Sequence, residues 1–324
     1  MTTTSLAPVC ETDAPPVSPR LIQRQSLDYV VRTGIAGGLA GCAAKTLIAP
    51  LDRVKILFQT SNPDYIRHAS RWNGLALAVR DIHKTSGLRG LFKGHAATLL
   101  RIFPYAGIKF IAYEQFRSLL IRSEREEVVW RRFTAGALAG LTSVFFTYPL
   151  EVIRVRLAFD TRHPHGGIVS VCREIYKTSL ADFYRGFTPT MVGMLPYAGV
   201  SFLTHDAISD LLRTWSSARK KSQGTEYGRA PLAAWAELVS GGLAGMLSQT
   251  ASYPFEVIRR RMQVSGAVGS GQSIGFWQTA RLILKTAGPG GFYVGLTIGF
   301  IKTVPMVACS FYVYERLKVQ LHVN

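Results

Sequence analysis

Three acids and three bases recur at one spacing in this chain. "PLDRVK" begins at Pro50, "PLEVIR" at Pro149 and "PFEVIR" at Pro254. Each reads proline, any residue, acid, two residues, base. The acids are therefore Asp52, Glu151 and Glu256, and the bases Lys55, Arg154 and Arg259. All lie in apolar surroundings such as "AGCAAKTLIAPLDRVKILFQ". A charge inside an apolar helix is costly unless it faces a partner or a water-filled cavity. A proline removes a backbone hydrogen bond and bends the helix. Three bent helices that converge at Pro50, Pro149 and Pro254 would bring the acid of one to the base of the next and close a ring.

A second set follows. Pro104, Pro196 and Pro305 are each followed ten residues later by an acid, Glu114, Asp206 and Glu315. Bases stand three residues after the first and third, at Arg117 and Lys318, whereas Ser209 occupies that place in the second. Between the two sets lie matched amphipathic segments, "LALAVRDIHKTSG", "IVSVCREIYKTS" and "TARLILKTAG", each followed by "FKG", "YRG" or "YVG". Gly37 and Gly41, Gly136 and Gly140, and Gly241 and Gly245 keep the same register before the kink prolines.

The chain is thus three copies of one unit: a long helix, a short amphipathic helix and a second long helix. The long helices are expected over 29–58, 94–121, 130–159, 187–213, 233–263 and 295–319. At about 1.5 Å per residue each exceeds a bilayer core of roughly 30 Å. Strand patterns are absent. A soluble helical repeat would carry polar residues on its wet faces, and "AGALAGLTSVFFTYPL" carries almost none. The spaced glycines suit close helix packing in lipid. The fold class is therefore an all-α membrane protein. Residues 1–28 form a disordered tail, and the repeats cover 29–122, 123–216 and 217–324 as one transport domain.

Bulk composition bounds the partners. The chain has 324 residues, is 48% hydrophobic and carries a net charge of +18, which favours anionic partners. Cys10, Cys42, Cys172 and Cys309 lie too far apart in sequence for metal spacing, so neither zinc nor a disulfide is expected. No nucleophile or Walker motif is present, so an enzyme is not expected, and no cofactor. A nucleic-acid binder would place its bases on a solvated patch rather than inside apolar helices.

The triplicated motif resembles the mitochondrial carrier family from about residue 29 onward. The resemblance implies a monomeric six-helix transporter of the mitochondrial inner membrane with threefold pseudosymmetry, crossing it several times. It implies a matrix gate that pairs Asp52 with Arg154, Glu151 with Arg259 and Glu256 with Lys55. Gln59 and Gln263 would brace that gate, and Ala158 departs from the pattern in the second repeat. It implies a cytoplasmic gate that pairs Asp206 with Lys318 and Glu315 with Arg117, leaving Glu114 opposite Ser209. Arg101, Gly193 and Lys302, three residues before each even-helix proline, stand where this family contacts substrate. With them come Met194 as an apolar wall, Gly193 as a slot for a flat ring, and Lys45 and Lys109 as further bases. The glycines Gly74, Gly94, Gly167, Gly186, Gly275 and Gly295 would mark cardiolipin sites at helix starts.

Within the family, "AGCAAKTLIAPLDRVKILFQ" and "RIFPYAGIKFIAYE" look most like the coenzyme A and Graves disease carrier type. Coenzyme A is the expected substrate. An adenine-nucleotide carrier is the alternative, and a non-transporting adaptor a further one, which should have lost these bases.

Overall fold

The computed structural model describes residues 27–69, 71, 73–121, 129–161, 167–220, 234–265 and 274–321. Most of the tail expected over 1–28 lies outside them, as does Cys10. Every regular element among the described residues is helical. Repeat 1 contains α1 (Leu27–Gln59), a single turn α2 (Ile66–Ala69), α3 (Gly74–Leu91) and α4 (His95–Leu120). Repeat 2 contains α5 (Val129–Phe159), α6 (Ile168–Thr178) and α7 (Phe187–Lys220). Repeat 3 contains α8 (Ala234–Ser265), α9 (Phe276–Ala287) and α10 (Leu296–Gln320). Short 3₁₀ turns at Leu180–Tyr184 and Pro289–Tyr293 lead into α7 and α10.

Each of the six long helices contains one of the six prolines inside it. By length and apolar composition, Val31–Gln59, Trp130–Phe159 and Pro289–Gln320 could each cross a membrane. The other three long helices, α4, α7 and α8, fall short on that measure, since polar and charged residues interrupt stretches such as "RIFPYAGIKFIAYEQFR". Large apolar side chains remain exposed along the bundle, among them Leu47, Ile111, Leu195, Leu203 and Val304. A contiguous apolar exterior of this kind suits lipid rather than water.

Helix α4 packs along α5, α7 along α8, and α10 along α1, so consecutive repeats are joined into a ring. The first long helices of the three repeats, α1, α5 and α8 (the odd helices of the six), also meet one another, while the second ones, α4, α7 and α10 (the even helices), pack mainly on their odd neighbours. The packing stripe is displaced from the one the glycines suggested. Ala36, Ala40 and Ala44, then Ala135, Ala139 and Ser143, then Ser240, Ala244 and Ser248 are buried at four-residue spacing. These lie one residue before the glycines or three after them. Gly37, Gly136, Gly140, Gly241 and Gly245 face open space, where even a Cβ would meet nothing. Small residues do permit the close approach, but alanine and serine supply them. Gly38 is the exception, because it lies directly under the Phe103 ring of α4.

The amphipathic helices seal one end. Ala78 and Ile82 of α3 pack on Val54, Leu57 and Phe58 of α1. Val171 and Ile175 of α6 pack on Val152 and Ile153 of α5, and Ile283 of α9 on Val257 and Ile258 of α8. Repeat 1 differs in its longer α3, which runs on through Gly87 at φ +64°, a backbone conformation glycine tolerates best.

Candidate functional site

The kinked centres of α1, α5 and α8 bring the charged triplets together. Arg154 Nη2 donates to Asp52 Oδ2 at 2.8 Å, and Lys55 Nζ to Glu256 Oε1 at 3.0 Å. Arg259 Nη2 bonds Glu151 Oε1. These contacts link α1 to α5, α5 to α8 and α8 to α1 in a closed cycle. Along the chain each acid stands three residues before the base of its own repeat, yet the base it meets in each of these contacts comes from a neighbouring repeat.

Further bases reach the same acids. Lys302 Nζ of α10 donates to Asp52 Oδ1 at 2.7 Å. Arg101 Nη1 of α4 lies 2.8 Å from Glu151 Oε2, and its Nε donates to Thr147 Oγ1 at 3.3 Å. Arg260 Nη1 of α8 donates to Glu151 Oε1 at 3.1 Å and to Gln263 Oε1 at 3.2 Å. Glu151 thus serves three guanidinium groups while its side chain is only 4% exposed. Sequence reasoning missed Arg260, since "RRR" at 259–261 offers three consecutive bases without indicating which face each takes.

Two tyrosines complete the ring. Gln59 Nε2 donates to Tyr253 Oη at 3.0 Å and Gln263 Nε2 to Tyr148 Oη at 3.1 Å. The same rings lie beneath the bases: Lys55 is 5.1 Å from the Tyr253 centroid and Arg259 is 5.6 Å from that of Tyr148. The signal was available as the "TYP" and "SYP" triplets that precede two of the kinks.

A cavity of about 300 Å³ stands over the ring. Lys45, Arg101 and Lys302 line it together with the ring charges, and Tyr105 and Met194 add apolar surface. Lys45 Nζ donates to the Met306 thioether at 3.4 Å. Two of the expected residues stand elsewhere. Gly193 turns towards α8, where a Cβ would come 2.9 Å from that of Phe255, so its smallness serves helix approach rather than a ring-shaped slot. Lys109 is exposed and does not line this cavity, because it lies two turns past Arg101 on the outward side of the Pro104 bend.

The second charged set is apart. Glu114, Arg117, Asp206 and Glu315 are exposed, and Lys318 is half-buried. The expected pairs Asp206–Lys318 and Glu315–Arg117 are not made. Among the described residues, the base in contact with Asp206 is its chain neighbour His205, at 4.0 Å. The physical reason is the packing: α4, α7 and α10 do not converge on each other as the odd helices do. Ser209 is buried at 4% exposure, whereas Glu114 is exposed. Among the described residues, the ion pairs that join the three repeats gather towards the C-terminal ends of α1, α5 and α8.

The glycines singled out for lipid all stand at helix starts. Gly94, Gly186 and Gly295 take positive φ immediately before α4, α7 and α10. Gly167 and Gly275 cap α6 and α9, and Gly74 opens α3.

This geometry can be set beside known proteins. The family described as "Mitochondrial carrier protein" matches the chain three times, over residues 27–124, 125–215 and 230–324. The chain belongs to the mitochondrial carrier family. The carrier is 51% identical to "Mitochondrial carrier protein LEU5" of Saccharomyces cerevisiae, with 91% of each chain covered. It is 38% identical to human "Solute carrier family 25 member 16", over 91% of this chain and 90% of the relative. It is 36% identical to "Mitochondrial carrier protein CoAc2" of Zea mays, over 92% and 88%. The carrier is a transporter, not an enzyme, and its three family matches correspond to the three repeats that form the ring.

The contacts also predict which charge swaps are tolerated. Exchanging Lys55 with Glu256 reverses a pair in which, among the described residues, Lys55 is the one base bonded to that carboxylate. Exchanging Asp52 with Arg154 would instead press a new cation against Lys302. The Lys55→Glu/Glu256→Lys double variant should therefore recover more uptake, relative to its single variants, than Asp52→Arg/Arg154→Asp. A double-mutant cycle on uptake by purified carrier measures both couplings. Equal recovery in the two swaps would show that Lys302 does not depend on Asp52.

Proposed function

We propose that this carrier moves coenzyme A, or a close adenine-containing phosphate ester, across the mitochondrial inner membrane by alternating access. The observation that supports this most is the charge of the cavity. Seven basic side chains and three acids line it, an excess of four positive charges. A phosphomonoester carries roughly −1.5 to −2 near neutral pH. With the diphosphate of coenzyme A added, substrate and cavity come close to neutral together. An adenine nucleotide triphosphate offers similar charge, which keeps that class as the second reading. An adaptor that transports nothing has no use for such a concentration of unneutralised bases.

The ring charges form the matrix gate, and the exposed set Glu114, Arg117, Asp206, Glu315 and Lys318 forms the cytoplasmic one. Arg101 and Lys302 couple substrate to gate. In this structure they rest on Glu151 and Asp52. Substrate phosphates compete for both bases. Each base drawn away leaves its ring acid with one fewer partner, which weakens the closed matrix side while the bound substrate compensates. Substrate thereby supplies the differential free energy that shifts the carrier between its two states. The membrane lipid cardiolipin binds at the glycine-marked helix starts, where free N–H groups suit phosphate, and one chain makes the whole pathway.

Uptake by purified carrier in proteoliposomes tests the substrate. Radiolabelled coenzyme A should enter, and unlabelled coenzyme A should compete better than dephospho-coenzyme A, which lacks the 3′-phosphate. Stronger competition by ATP than by coenzyme A would favour the nucleotide reading. No uptake of either, by folded carrier, would favour the adaptor.

A further inference from the structure

The ring is not uniform. Where repeat 1 meets repeat 3, Gln59 and Lys55 both engage Tyr253. Where repeat 3 meets repeat 2, Gln263 and Arg259 both engage Tyr148. Where repeat 2 meets repeat 1, the matching residues are Ala158 and Ala49. Glutamine, tyrosine and the cation–ring contact are all missing there, and the two alanines border a gap of about 10 Å³.

The same interface has something the others lack. A helix leaves its last carbonyls without intrahelical partners. At the end of α5, repeat 1 supplies donors to three successive ones. Arg53 Nε donates to the Ala158 carbonyl at 3.3 Å, Asn62 Nδ2 to that of Phe159 at 3.1 Å and Lys93 Nζ to that of Asp160 at 2.6 Å. Thr161 Oγ1 donates back to Asp64 Oδ2 at 3.0 Å. Arginine and lysine also complement the negative end of the helix dipole. Burial lowers the pKa of Lys93, and the Asp160 carboxylate opposes that shift. At the other two interfaces, among the described residues, a single arginine reaches a single carbonyl: Arg156 to Gln263 at 3.2 Å and Arg261 to Gln59 at 3.4 Å.

We infer that Arg53, Asn62 and Lys93 form a cap on α5 that takes the place of the missing glutamine–tyrosine brace and holds the matrix gate shut between repeats 1 and 2. They are positioning residues of the gate and touch no substrate. The inference rests on the alternating-access reading, since a gate that never opens needs no such device.

Asn62 allows a clean test, because its Oδ1 also accepts from the Asp64 amide at 3.0 Å within its own loop. Asn62→Asp keeps that acceptor, loses the donor to α5 and sets a negative oxygen against the Phe159 carbonyl, so it opposes the cap without changing side-chain size. The readout is the labelling of a Met194→Cys reporter by an impermeant maleimide, in full-length carrier lacking the four native cysteines. Mitoplasts expose the cytoplasmic side and inverted inner-membrane vesicles the matrix side. Asn62→Asp should raise matrix-side labelling about threefold to tenfold while cytoplasmic labelling falls, as expected for one lost hydrogen bond in the closed state. Lys93→Met should shift the ratio the same way. General loosening of the fold would instead speed labelling from both sides, and that result overturns the inference. So does an unchanged ratio in both variants while substrate still shifts the unmodified protein between sides. If substrate never exposes the reporter to the matrix side in the Met194→Cys protein with the cap intact, alternating access itself fails, and the cap's role fails with it.

Discussion

Glu151→Gln should abolish transport and lower the stability of the closed carrier more than any other single neutralisation in the ring. The carboxylate is buried and meets Arg259, Arg260 and Arg101 at once. An amide has the same shape but leaves three guanidinium groups crowded together without their shared counter-charge. Removing one partner from a buried charged cluster costs on the order of 3–5 kcal/mol, mostly as the penalty of the charges left behind. Glu151→Asp keeps the charge and should retain part of the stability. Glu114→Gln is the contrasting case: that acid is exposed, so its loss should change stability by about 0.5 kcal/mol or less. Thermal unfolding of the purified carrier, followed by uptake in proteoliposomes, compares the three. Wild-type unfolding and wild-type uptake in Glu151→Gln would mean that the arginines do not depend on this carboxylate.

Arg101→Ala and Lys302→Ala should each reduce uptake at least tenfold while the protein stays folded. Both line the cavity and both are held on ring acids. Each would contribute a charge-assisted hydrogen bond to a substrate phosphate, a loss of about 1.5–3 kcal/mol, and every 1.4 kcal/mol is about tenfold in binding. Each also leaves its ring acid a second cation, Arg154 for Asp52 and the Arg259–Arg260 pair for Glu151, so the fold should survive. Lys109→Ala separates position from mere charge. It removes the same charge as Lys302→Ala, but from an exposed site off the cavity, and should leave uptake within about twofold of normal. Near-normal uptake in folded Arg101→Ala or Lys302→Ala would remove these residues from the pathway. Strong loss in Lys109→Ala would place substrate higher in the bundle than the cavity described above.

Much of this was legible in the chain because it is written three times. A proline, an acid and a base at fixed spacing fix the depth of a kink and of two charges on a helix. Repetition then implies that the partners come from neighbouring copies. That reasoning reaches the six helices, the matched amphipathic segments and the three acid–base contacts of the odd helices. It does not reach features that depend on how far each helix is rotated about its own axis. The buried stripe falls on Ala36, Ala40 and Ala44 rather than on the neighbouring glycines, a displacement of one residue that periodicity alone cannot resolve. Gly193 is turned to Phe255 and Lys109 away from the cavity for the same reason. Among the described residues Asp206 does not meet Lys318 and Glu315 does not meet Arg117; under the proposed alternating access that is a property of one conformation, and the sequence would encode both sets of contacts equally. Arg260 on Glu151, and the α5 carbonyls under Arg53, Asn62 and Lys93, were decided only by tertiary structure. A backbone carbonyl has no residue type, so nothing in the sequence marks it as a partner until the helix that ends there is seen beside its neighbour.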